Sequence, residues 1–271
     1  MRKIVRRTTV QGHIDRMVKR IVKQFDPEQV ILFGSQARGD ATEDSDYDVM
    51  VVVPRADEPE HALEVKARDT LRGLRLPIQP FVWPLERFQR QLPVVASFPA
   101  TIVREGRVLY DNRHAVTQSR RAAANWLPKK ADRMRTEREK LRLTKEWLSH
   151  AEDDLVLAEL AARAGPRRPI VGAGMFHCQQ AFEKALKAYL TWRDQPFKKT
   201  HDLEELAQQC VGLDPDFAQL MASGKVLDPY VFKFRYPGAG QPGADEFEDA
   251  LRRAREGLDF VFARVPRSAR P

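Results

Sequence analysis

The chain has 271 residues, 42% hydrophobic and 31% charged, with 46 basic against 38 acidic residues and a formal net charge of +8. That length can bury one large or two average cores, and no apolar run approaches the ~20 residues of a membrane span, which excludes an integral helical membrane protein. Two cysteines, Cys178 and Cys210, fall in different predicted helices and exclude a disulfide framework or a metal knuckle; with no apolar segment behind the basic MRKIVRRTTV start, the expected compartment is the reducing cytoplasm.

Val10, Ile14, Met17, Val18, Ile21, Val22 and Phe25 recur at intervals of three and four, which predicts an amphipathic helix over Thr9 to Phe25, ended by Asp26-Pro27. A short buried strand follows from Gln29 to Phe33, then a polar loop, then a second strand from Tyr47 to Val53 closed by Pro54. Next come a helix over Glu60 to Arg72, an apolar run from Leu76 to Val82, a small helix from Leu85, and a closing strand from Arg107 to Asp111. These elements predict an α/β (α+β) unit of about 110 residues with a mixed sheet.

From Asn112 the strand signals stop. Helices are expected over about Lys130–Arg163, Gly174–Trp192, Asp202–Cys210, Asp216–Ser223 and Asp245–Ala263, separated by Gly/Pro breaks. The expected organisation is therefore an N-terminal domain at 1–113, a basic linker at 114–134 and an all-α helical bundle at 135–265. Charge follows this division: residues 116–145 carry ten basic and three acidic residues, so this stretch holds +7 of the total. It reads either as a solvated linker and helix face or as a strip that attracts RNA, tRNA or phosphate.

Chemistry concentrates between the first two strands. Gly34 permits close backbone approach, Ser35 can cap a short helix, and the free amides there could face an anion such as a phosphate. Asp46 and Asp48, two residues apart at the start of a strand, should share a face, an arrangement suited to a hard cation such as Mg²⁺. Alone, a Gly-Ser turn or an Asp-x-Asp pair is an ordinary turn or a solvated strand start; here both occur in order, with Arg38-Gly39 between them.

Gly34-Ser35-x-Ala37-Arg38-Gly39 followed by Ser45-Asp46-x-Asp48 resembles the signature of the minimal nucleotidyltransferases of the DNA polymerase β superfamily, over roughly residues 10–112. The resemblance implies a nucleoside triphosphate, usually ATP, held by Gly34, Ser35 and Arg38. It also implies Mg²⁺ on Asp46 and Asp48, and transfer of a nucleoside monophosphate to a hydroxyl. Active members carry a third carboxylate on the later strand, and the matching position here is Gln79, an amide that cannot take a proton. The resemblance thus leaves two functions open: AMP transfer to a protein or small molecule, including an antibiotic, or a nucleotide-sensing or toxin–antitoxin-derived regulatory module with a degenerate site.

In the helical half, Phe176-His177-x-Gln179-Gln180, the Lys184 and Lys187 turn, Lys199-Thr200-His201-Asp202 and Arg235-Tyr236-Pro237 resemble the HEPN family over roughly residues 135–264. This implies a bundle that often forms a homodimer and often accompanies a minimal nucleotidyltransferase. His177, Gln180, Lys184, His201 and Arg235 are its candidate pocket residues. His177, Gln180, Lys184 and Lys187 lie at spacings that form one polar stripe, opposite Phe182, Leu186, Tyr189 and Leu190 in the core. His177 reads equally as a packing histidine, His201 as a turn residue, and Asp202 as a helix cap with Thr200 competing. No Arg is followed by His after four to six residues in this half, which argues against the family's ribonuclease activity.

Overall fold

The computed structural model describes residues 2–42, 45–74, 76–112, 133–164, 170–197, 201–233 and 242–271. The chain divides into two compact units, Met1–Thr136 and Glu137–Pro271.

In the first unit, α1 (Arg2–Phe25) leads into β1 (Gln29–Phe33), a one-turn helix α2 (Ser35–Arg38) and β2 (Tyr47–Val53). Then come α3 (Glu60–Leu71), β3 (Ile78–Pro84), α4 (Leu85–Gln91), α5 (Phe98–Glu105) and β4 (Arg107–Asp111). The sheet order is β3-β2-β1-β4; β1 is antiparallel to β2 and β4, while β2 and β3 run parallel, so the sheet is mixed.

Alternation along the strands sorts the side chains between two helical layers. Val30, Leu32, Val49, Val51, Val53 and Val82 face Ile14, Met17 and Ile21 of α1 and Leu63, Ala67 and Leu71 of α3. Ile31, Phe33, Met50, Val52 and Trp83 face Phe88 of α4 and Ile102 of α5. The five residues from Val49 to Val53 are all buried, since both faces of this central strand are covered. Helix α5 was not among the expected elements. Ser97 caps it by accepting from the Ala100 amide at 3.2 Å, and Pro99 sits in its first turn, where a missing N–H costs nothing.

Among the described residues the regular structure of the second unit is all helical: α6 (Arg133–Arg163), which starts just before the unit boundary, α7 (Val171–Trp192), α8 (Leu203–Val211), α9 (Met221–Leu227) and α10 (Ala244–Arg264). The expected helix over Asp216–Ser223 resolves into a 3₁₀ turn over Pro215–Leu220 running into α9. Helix α7 is the hub, with Phe182, Leu186, Tyr189 and Leu190 all buried, as the stripe argument expects. It meets α10 closely at Gly257, where a Cβ would fall 2.5 Å from the Phe182 ring; glycine lets the two helices approach. Asp202 caps α8, accepting from the Glu205 amide at 2.8 Å. Among the described residues no helix is long and apolar enough to cross a membrane.

Candidate functional site

The end of β1 and the start of β2 converge. Gly34 ends β1 with φ 71, a left-handed conformation that favours glycine, and acts as N-cap of α2. A Cβ on this residue would lie 2.3 Å from Asp48 Oδ2, so glycine is required for space as well as for backbone geometry. Ser35 is the first helical residue of α2, not its cap as the sequence suggested, because Gly34 takes that position. The first intrahelical bonds of α2 are donated to the Gly34 carbonyl by Ala37 and Arg38, both at 3.1 Å. The Ser35 and Gln36 amides precede them in the turn.

Arg38 is held on both sides. Its guanidinium donates to Asp40 at 3.1 Å and to Glu105, at the end of α5, at 3.2 Å. Across the loop, Gln36 Nε2 donates to the Ser45 carbonyl at 3.1 Å, and the Ser45 hydroxyl accepts from the Thr42 amide at 2.9 Å. Ser45 is thus tied to α2 immediately before Asp46. Asp46 is exposed just outside β2, and Asp48 is half-buried as its second residue.

The register decides what Asp48 faces. It stands opposite Phe33 on β1 and opposite Gln79 on β3. Phe81 and Trp83, two and four residues beyond Gln79 on its strand, belong to the α4/α5 face, as do Met50 and Val52 beyond Asp48. Asp48 and Gln79 therefore point to that same face, and Asp46 lies two residues before Asp48, just ahead of the strand. The Asp48 carboxylate and the Gln79 amide stand side by side at one end of the sheet. Among the described residues no group of three or more His, Cys, Asp or Glu side chains could hold a metal ion. Two hard oxygen donors nevertheless suit Mg²⁺, which is commonly held by one or two carboxylates together with substrate phosphates.

In the helical unit His177, Gln180, Lys184 and His201 fall into two polar clusters along α7, each built around a buried acid that was not among the predicted residues. Asp154 of α6 accepts from Lys184 and pairs with His177 Nδ1 at 2.8 Å. Glu183 accepts from Lys187 at 2.7 Å and Gln179 at 2.9 Å, and His201 Nδ1 lies 3.1 Å from its Oε2. Gln180 joins through Gln179 Oε1 at 2.7 Å. Burial would raise the Glu183 pKa, but the His201 hydrogen bond and the Lys187 charge overcome it and, with the Gln179 amide, hold it down to about 2. Lys187 is itself buried against this acid, so the polar stripe turns partly inward. The one sequence signal for this cluster was the Glu183-Lys187 spacing of four. Arg235 lies outside the described residues, as do Arg120, Arg121, Lys129 and Lys130 of the basic strip. Within its described part, Lys140 pairs with Glu137, and Arg142 with Glu139 and Glu146.

Comparison with known proteins bears on both units. Residues 14–108 match the nucleotidyltransferase domain family and residues 144–264 the HEPN domain family. Among solved structures, the crystal structure of TT1696 from Thermus thermophilus is similar at 30% identity and TM-score 0.38, over 45% of this chain and 98% of that one. The crystal structure of ST0689, an archaeal HEPN homologue, is similar at 23% identity and TM-score 0.36, over 45% and 98%. No curated protein matches the chain. The glycine turn beside an Asp-x-Asp strand and the helical hub built on α7 thus belong to two families in tandem, and the chain carries a nucleotidyltransferase domain followed by a HEPN domain.

Proposed function

We propose that the N-terminal domain binds a nucleoside triphosphate, ATP in the first instance, together with Mg²⁺, and transfers the nucleoside monophosphate to a hydroxyl on a protein or small molecule. The observation that carries this reading is the contact between Gly34 and Asp48: the turn that would receive phosphates is closed directly against a carboxylate. Asp46 and Asp48 would hold the cation, and Gly34, Ser35 and Arg38 would position the triphosphate. Bound there, Mg²⁺ would neutralise developing charge on the phosphates. In the reaction the acceptor oxygen bonds to the α-phosphorus, the bond to pyrophosphate breaks, and the hydroxyl proton is lost.

Gln79 sets the rate of that last event. It stands in register with Asp48, but its amide cannot accept a proton, so the proton passes to solvent and general-base assistance of ~10²–10⁴ is forgone. This favours a second reading, in which the domain binds nucleotide with little turnover and the tandem acts as a nucleotide-sensing or toxin–antitoxin-derived regulatory module in the cytoplasm. In either reading the HEPN bundle would contribute a nucleotide-binding surface around His177, Gln180, Lys184, His201 and Arg235, and a dimer contact.

The two readings separate in one experiment. The chain is incubated with α-labelled ATP and Mg²⁺, alone and with lysate, beside an Asp46→Ala/Asp48→Ala variant. Label transfer that disappears in the variant supports the transferase; binding without transfer to any acceptor supports the sensor. For the basic strip, neutralising its residues should make the salt dependence of RNA binding shallower, and an unchanged slope removes RNA as a partner.

A further inference from the structure

Behind the row formed by Gln79, Asp48 and Phe33, the same face of the sheet turns aromatic. Phe81 follows Gln79 on β3, opposite Met50, and Phe98 at the start of α5 packs over it. Ring centroids lie 5.6 Å apart for Phe33 and Phe81, 5.3 Å for Phe33 and Phe98, and 5.6 Å for Phe81 and Phe98. Trp83 closes the cluster from behind at 5.6 Å from Phe98. The cluster is not evenly covered: Phe33 and Trp83 are buried at 4% and 8% exposure, whereas Phe81 and Phe98 are only partly buried.

We propose that Phe81 and Phe98 form the nucleobase subsite of this domain, taking the planar ring of the same triphosphate whose phosphates lie at Gly34 and Asp48. The inference rests on the nucleotide-binding reading above. Phe81 is one strand across and two residues along from Asp48. Strand spacing and rise put it about 8 Å from the carboxylate position, the scale that separates a nucleotide's α-phosphate from its base. Among the described residues, the surface that continues from Asp48 and Gln79 along this face is therefore apolar and aromatic, complementary to the uncharged face of a base. Stacking reads planarity and area more than hydrogen-bonding pattern, so this subsite favours purine over pyrimidine triphosphates and discriminates weakly between adenine and guanine.

The test uses the full chain and two probes, Mg-ATP and Mg-tripolyphosphate, titrated calorimetrically into the wild type and a Phe81→Leu/Phe98→Leu variant. Leucine keeps apolar volume and removes the rings, and tripolyphosphate binding reports whether the phosphate end is still folded. The wild type is expected to bind ATP more tightly than tripolyphosphate. The variant should lose about five- to hundredfold in ATP affinity while tripolyphosphate affinity stays unchanged. ATP affinity that survives the double substitution, or ATP and tripolyphosphate affinities that fall in parallel, overturns the subsite. Equal affinity of the wild type for both probes also overturns it and leaves the triphosphate reading standing. Binding of neither probe overturns the triphosphate reading itself, and the subsite with it.

Discussion

Asp48 and Gln79 stand in register on the parallel strands β2 and β3, both turned to the α4/α5 face of the sheet. Their adjacency makes the amide the most informative single position in the chain. Gln79→Glu or Gln79→Asp places a second carboxylate beside Asp48 and is expected to raise the rate of label transfer from ATP by ~10²–10⁴. Single-turnover transfer measured with and without the substitution checks this; an unchanged rate would mean that proton removal does not limit the reaction.

Gly34→Ala should be far more damaging than its size suggests. The added methyl would sit 2.3 Å from Asp48 Oδ2, and φ 71 is unfavourable for any residue with a side chain. Together these effects should cost about 1–3 kcal/mol of domain stability and displace the carboxylate. The expected outcome is a lower melting temperature and loss of Mg-ATP binding. Gly39→Ala is the contrast: its φ of 89 carries similar strain, but no atom lies near its Cβ position, so ATP affinity should be largely retained.

The helical unit should show a distinct acid sensitivity. Glu183 titrates at about 2 in the folded chain, below its usual range in an unfolded one. The unfolded state therefore takes up this proton first, so the stabilisation is complete above the ordinary carboxylate range and is lost as pH falls towards 2. Denaturant titrations across that window should show Glu183→Gln losing less stability on acidification than the wild type. At neutral pH, Glu183→Ala leaves Lys187 buried without its acid and should cost about 3–5 kcal/mol.

Both cysteines should be silent towards thiol reagents while the chain is folded. Burial pushes the Cys178 thiol up to about 12, and burial with the Asp214 charge raises Cys210 further. Neither therefore offers thiolate at neutral pH. Labelling with a chromogenic disulfide should be slow in buffer and should reach two thiols per chain in denaturant. Rapid labelling of the folded chain would contradict this burial.

Elements whose apolar pattern had one interpretation were legible in the sequence: β1 and β2 fall on the expected residues, and α7 and α10 within a few residues of theirs. The third strand begins at Ile78, two residues later than its apolar run, because Pro77 has no N–H for the ladder and serves only as acceptor for the Tyr47 amide. Helix α5 was hidden because Pro99 reads as a breaker unless Ser97 is recognised as the cap before it. In the N-terminal unit the candidate site was visible as a motif, yet the pairing of Asp48 with Gln79 follows from strand register. Asp154 and Glu183 were missed for another reason: acids on a helix normally face solvent. Asp154 meets partners 23 and 30 residues away, and Glu183 meets His201 from 18 residues away.

The unbroken burial from Val49 to Val53 also limits how this part of the chain can change in length. A strand with both faces covered has no tolerant side, so deleting or inserting one residue within it would send Asp48 towards α1 and α3 and drive Met50 and Val52 out of their own layer. A two-residue change would restore the alternation but shift the carboxylate by a full repeat relative to Gly34 and Gln79. Length variation in relatives of this domain should therefore collect in the loop between Gly39 and Ser45 and be absent from β2. A molecule that has folded its sheet correctly has, by the same act, already aimed its acid.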